Sequence, residues 1–113
     1  MNKGDNEHYL IFVNAADDAG AFPASRLQSI TCKTDSALLL KFSPGSLGDG
    51  QAASVDVVTL AITADKEKDV MKSIFEAINT RIRKGANYTI ICDDVASDRL
   101  TNITGCSSIT LDA

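Results

Sequence analysis

The sequence predicts an α+β protein: a β-rich sandwich or barrel-like sheet of about six strands, with one long amphipathic helix between strands four and five. Three observations predict it. Short apolar runs rich in β-branched and aromatic residues recur between clusters of Gly, Pro, Asp and Ser. A 3.6-residue apolar period occurs strongly over a single stretch, residues 65–85. With 113 residues, 44% apolar and 23% charged, the chain suits one ordinary core and is too short for two. Residues 1–113 are therefore read as a single domain, with polar residues 1–8 as a flexible N-terminal segment.

The first strand is Tyr9-Leu-Ile-Phe-Val13, whose continuous apolar character predicts burial on both faces. Residues 17–24 turn to Asp, Gly, Ala and Pro, and Pro23 disfavours helix at Phe22, so a loop is expected there. Residues 26–32 form the second strand through Leu27 and Ile30. In the third, residues 36–43, Leu38, Leu40 and Phe42 share one face and Ala37, Leu39 and Lys41 the other. Pro44-Gly-Ser-Leu-Gly-Asp-Gly50 is dense in turn residues, and the Val, Ile and Thr of residues 54–63 follow as the fourth strand of a long-looped hairpin. Its apolar phase slips between Val57 and Val58, which calls for either a β-bulge or two covered faces.

The helix carries Val70, Met71, Ile74, Phe75, Ile78 and Ile82 on one stripe, with Lys68, Lys72, Glu76, Asn79 and Arg83 away from it. Asp65 is the expected N-cap and Gly85 the left-handed stop, with acids early and bases late as the helix dipole favours. Residues 88–92 and 102–111 supply the last two strands, the latter alternating loosely through Ile103, Ile109 and Leu111. A single helix covers only one face of a sheet. The remaining surface must close on itself or be covered by other subunits, which points towards a homo-oligomer.

Composition narrows the function. Eleven basic residues against fifteen acidic ones give a net charge of −4, the wrong sign for a general nucleic-acid binder. The charge is uneven: residues 65–84 hold six basic and four acidic residues, so the helix is locally basic on an acidic body. No apolar run approaches the roughly 20 residues of a membrane span, and the polar start lacks the apolar core of a signal peptide. Cys32, Cys92 and Cys106 are too scattered for a zinc site or a disulfide framework, and read as reduced, buried thiols. A catalytic Cys–His pair is not expected, because His8, the single histidine, falls in the polar N-terminal segment.

Asp93, Asp94 and Asp98 form the best carboxylate cluster and the weak candidates for a divalent cation, though adjacent strand residues point to opposite faces. A solvated turn is the stronger expectation, and the same holds for Asp17 and Asp18. Residues 45–50 lack the Gly-Lys-Ser/Thr ending of a phosphate loop. Asn87-Tyr-Thr89 and Asn102-Ile-Thr104 match the glycosylation acceptor pattern without an accompanying secretory signal. No catalytic residue, cofactor or small-molecule substrate is expected.

Several segments together, Tyr9-Leu-Ile-Phe, Phe22-Pro-Ala-Ser-Arg-Leu27, Val57 through Asn79, Ile91-Cys-Asp-Asp94 and Asn102 through Leu111, give the chain a familiar order. It resembles small virion-associated proteins of marine tailed bacteriophages. The resemblance implies a non-enzymatic, capsid-associated or decoration component of the virion, made in the host cytoplasm, with itself and other virion proteins as partners. It brings no functional residues with it. At 113 residues the chain is too short for a two-domain coat subunit, so an accessory role fits. The competing expectations are a small acidic intracellular module that inhibits a host protein, and, ranked below it, a metal-assisted hydrolase using the three aspartates.

Overall fold

A computed structural model describes residues 8–43 and 55–111. Among these the chain forms β1 (Tyr9–Ala15), β2 (Asp18–Pro23), a 3-10 turn (Ala24–Arg26), β3 (Leu27–Thr34), β4 (Ala37–Phe42), β5 (Asp56–Ile62), α1 (Glu67–Arg83), β6 (Tyr88–Asp93), β7 (Asp98–Arg99) and β8 (Ile103–Thr110). The strands make two four-stranded sheets, ordered β2-β1-β6-β7 and β3-β4-β5-β8. This corrects the expected fold of about six strands with the helix between the fourth and fifth: there are eight strands, and the helix lies between the fifth and sixth.

The difference has two sources. Within residues 17–24, expected as a loop, Asp18–Pro23 form β2, a strand whose own composition argues against it. It is held by antiparallel pairing with β1 from Tyr9↔Pro23 to Val13↔Ala19, and Pro23 ends the strand at the sheet edge, where a missing N–H costs little. The other is β7, only two residues long, which pairs with Cys92 and Asp93. The glycine-rich loop of residues 45–50 and the polar residues 1–7 lie outside the described residues.

Both sheets contribute to one core. Leu10 and Phe12 of β1, the Leu38, Leu40 and Phe42 face of β4, and Val58, Leu60 and Ile62 of β5 are buried together. Phe22 stacks on Phe42 with ring centroids 4.7 Å apart, and Phe12 stands 6.0 Å from each at a steep angle, so three strands from two sheets meet in one aromatic cluster. β1 is sealed on one face only, because Ile11 and Val13 are half-buried and Tyr9 is exposed.

The phase slip in β5 is not a bulge of that strand. Its pairing with β4 is regular, and the irregularities fall on β8, where Ser107 and Thr104 are the extra residues of the β5–β8 ladder. Two bulges in β8 bring Ile103 and Cys106, three apart, onto the same buried side, with Ile109 packed against it. A similar shift in the parallel β1–β6 pairing skips Ile91, so both Ile91 and Cys92 are buried although they are adjacent.

The helix starts later than expected. Asp65 is not its N-cap: it takes a left-handed φ of 64° in the preceding turn, and Lys66 occupies the cap without a side-chain hydrogen bond. The C-terminus follows the expectation. Gly85 adopts φ 84°, its N–H donates to the Ile82 carbonyl, and the Ala86 N–H donates to the Arg81 carbonyl, the paired bonds of a Schellman stop. Val70, Ile74 and Ile78 enter the core, whereas Phe75 and Ile82 of the same stripe stay half exposed. The apolar stripe is thus wider than the surface available to cover it.

Candidate functional site

The flanks of α1 border different sheets. On one flank Met71 and Phe75 face the start of β3 across a groove of about 360 Å³ completed by Ala24, Leu27 and Ile30. On the other, Glu76, Ala77, Thr80 and Arg81 face β6 across a larger cleft of about 510 Å³. Its floor is Tyr88, Thr89 and Ile90, and its far wall is built from Asp98, Leu100 and Thr101. A concave site of mixed polarity between a helix and a sheet is the default place for a ligand.

Two contacts organise the cleft. The Arg81 Nε donates to the Tyr88 carbonyl at 3.4 Å, and its guanidinium lies 5.5 Å from the Tyr88 ring centroid. Beneath them, buried Thr89 meets His8: the His8 Nε2 lies 2.6 Å from the Thr89 Oγ1. His8 was expected in a flexible polar segment, but it is only 5% exposed, and its carbonyl accepts from the Ala24 N–H. Its Nδ1 has no hydrogen-bond partner among the described residues. The signal that would have placed it, a β1 pairing that starts at Tyr9 beside Tyr88, is nonlocal.

The three aspartates singled out by sequence do separate work. Asp93 Oδ1 accepts the N–H groups of Val95 and Ala96, both at 3.0 Å, which closes the turn after β6. Asp94 ties three elements. Its Oδ1 accepts from the Arg99 Nε at 2.8 Å and from the Cys92 thiol at 3.4 Å, and its Oδ2 accepts from the Cys106 N–H of β8 at 2.9 Å. Asp98 is exposed on the cleft wall. Among the described residues no three His, Cys, Asp or Glu side chains converge on a point that would hold a metal ion. Asp17 is exposed in the β1–β2 turn and Asp18 accepts from Asn14 Nδ2 at 2.9 Å.

Electrostatics around Asp94 are those of a strut. Burial works to raise its pKa, but the Cys106 N–H, the Arg99 and Cys92 hydrogen bonds and the Arg99 charge together hold the carboxyl below its ordinary value. Burial pushes the Cys92 thiol up to about 12, reinforced by its hydrogen bond to Asp94 and by that residue's charge. Burial likewise lifts Cys106 to about 11, with the charges of Asp94 and Asp18 adding to it. Both thiols are thereby kept protonated and unreactive at neutral pH. Cys32, expected to be buried like the other two, is instead exposed on the edge strand β3.

Comparison of the chain with protein-family models, curated proteins and solved structures gives no match. The functional reading therefore stands on the geometry and on the sequence resemblance.

Proposed function

We propose that the chain is a non-enzymatic structural protein of a tailed-phage particle, capsid-associated or decorating, that associates with copies of itself. The sequence resemblance supports the particle assignment. The observation that supports self-association is the β3 edge with its neighbouring groove: an eight-residue outer strand lies beside an apolar trough, and Phe75 stands half exposed at its rim. Edge strands and uncovered apolar side chains are the surfaces through which subunits join. Two copies meeting here bury Phe75, Met71, Leu27 and Ile30 against their counterparts.

Light scattering at rising concentration tests the association: a mass above the monomer that falls back in Phe75→Ser is the expected result, and a strict monomer at all concentrations overturns it. Mass spectrometry of purified particles tests the assignment, which fails if the protein occurs in infected-cell lysate but not in intact virions. A second reading, an acidic module acting on a host protein, is favoured by the α1–β6 cleft. One stoichiometric host partner in pull-down, with no protein in particles, would decide for it.

A further inference from the structure

We propose that the α1–β6 cleft is a strand-addition site that takes an extended peptide segment carrying a Lys or Arg, supplied by a partner protein, as an added strand of the first sheet. The inference rests on the cleft's geometry and charge and holds or fails independently of the particle assignment.

The sheet is incomplete on this side. β7 pairs only with Cys92 and Asp93, so over Tyr88, Thr89 and Ile90 the edge of β6 has no outer strand among the described residues. Three consecutive strand residues line the one cavity. Because successive side chains point to opposite faces, a cavity bordered by all three runs along the backbone edge and not over a face. At about 3.3 Å per residue this open edge is roughly 10 Å long, enough for a short extended segment.

The edge also presents unclaimed backbone groups. The Tyr9 N–H donates to the Asn87 carbonyl, so Asn87 faces β1 and the next carbonyl, that of Tyr88, faces outward. Arg81 Nε reaches that carbonyl at 3.4 Å, standing where the N–H of a neighbouring strand would stand. By the same alternation the Ile90 backbone turns its N–H and carbonyl to the cleft. The Arg81 bond is long and comes from an exposed side chain, so an incoming N–H replaces it at little cost.

The charged lining of the cleft, two acids against the cation Arg81, favours a basic occupant. Glu76 on the helix wall and Asp98 on the opposite wall are exposed, and neither has an ion-pair partner among the described residues. A Lys or Arg on the added strand meets both, while Ala77 leaves room for its stem. Strand addition of this type draws affinity from main-chain hydrogen bonds and specificity from alternate side-chain pockets.

The test uses the full chain against a yeast-displayed library of random peptides of about nine residues, with an Ala77→Trp chain, which fills the cleft, as the control. The expected result is enrichment of peptides bearing Lys or Arg, slowed amide exchange at Tyr88 and Ile90 on binding, and affinity reduced about tenfold or more in Asp98→Lys. Loss of binding in Ala77→Trp with an unchanged circular dichroism spectrum supports the site. If Ala77→Trp does not fold, Asp98→Lys carries the same decision. Absence of enrichment, unchanged affinity in the folded variant, or protection that appears on β3 in place of β6 overturns the proposal.

Discussion

Asp94 shows how a carboxylate that reads as a ligand becomes a fastener. Its ion pair with Arg99 is only partly shielded, with 21% of the Asp94 side chain accessible, so solvent screening keeps the electrostatic part small. The bond from the Cys106 N–H is the larger loss on substitution. Asp94→Asn should cost about 1–2 kcal/mol in urea unfolding, since one backbone donor loses its charged acceptor. The pH dependence has a definite sign. The folded carboxyl lies below its unfolded value, so its contribution is full above about pH 4 and is lost as pH falls through the folded value. Acid titration of stability should therefore be shallower in Asp94→Asn than in the parent.

The cysteines separate by exposure. A maleimide at neutral pH should modify Cys32 alone in the native protein, and Cys92 and Cys106 only after denaturation, read by intact mass. Gly20 answers to the aromatic cluster. A Cβ there would stand 2.9 Å from the Phe22 ring, so Gly20→Ala must displace a stacked side chain and should cost about 1–3 kcal/mol in thermal or urea unfolding.

Among the elements, those whose pattern is local were legible in the sequence. The 3.6 period located α1, and Gly85 marked its end, because both signals need nothing beyond the helix itself. The alternation of Leu38, Leu40 and Phe42 gave the buried face of β4 correctly. What failed was nonlocal. β2 contains Gly20, Ala19, Ala21 and Pro23, residues that form a strand only because β1 offers them a partner, and β7 is too short to leave a pattern. The cleft was invisible for the same reason: it appears where β7 stops short of Tyr88, and no residue type announces a missing neighbour. Asp94 and its partners Arg99 and Cys106 come from three successive segments, and only the fold of β8 over β6 brings them together.

The helix stripe then divides into two kinds of residue with opposite expected behaviour. Ile74→Ala empties a fully buried site and should cost about 2–5 kcal/mol of stability. Phe75→Ala removes a ring that is half exposed, so stability should change little while the concentration needed for self-association rises. Parallel urea unfolding and light scattering on the two variants separate the roles.

At the scale of the molecule, charge sets different rules for the two flanks of α1. The groove beside β3 is lined by Ala24, Leu27, Gln28, Ser29, Ile30, Met71 and Phe75, none of them charged, so association of two copies there should change little with salt. The cleft beside β6 offers Glu76 and Asp98 to a basic segment, so binding there should weaken with salt. Sedimentation and peptide titration from low to high ionic strength would show a flat trend for the groove and a falling one for the cleft. A common trend would mean that at least one surface is misassigned.

The strand order has a consequence for how the protein is made. β1 leaves the ribosome first, yet its parallel partner β6 is synthesised only after five other elements, and β8 must arrive last to flank β5. Until Tyr88 emerges, one side of β1 lacks its hydrogen-bonding neighbour, and the core lacks Ile91 and Cys92. Nascent chains of this topology carry the apolar residues of β1 with one edge unpaired until β6 emerges, and β8 must follow before the outer ladder of β5 closes.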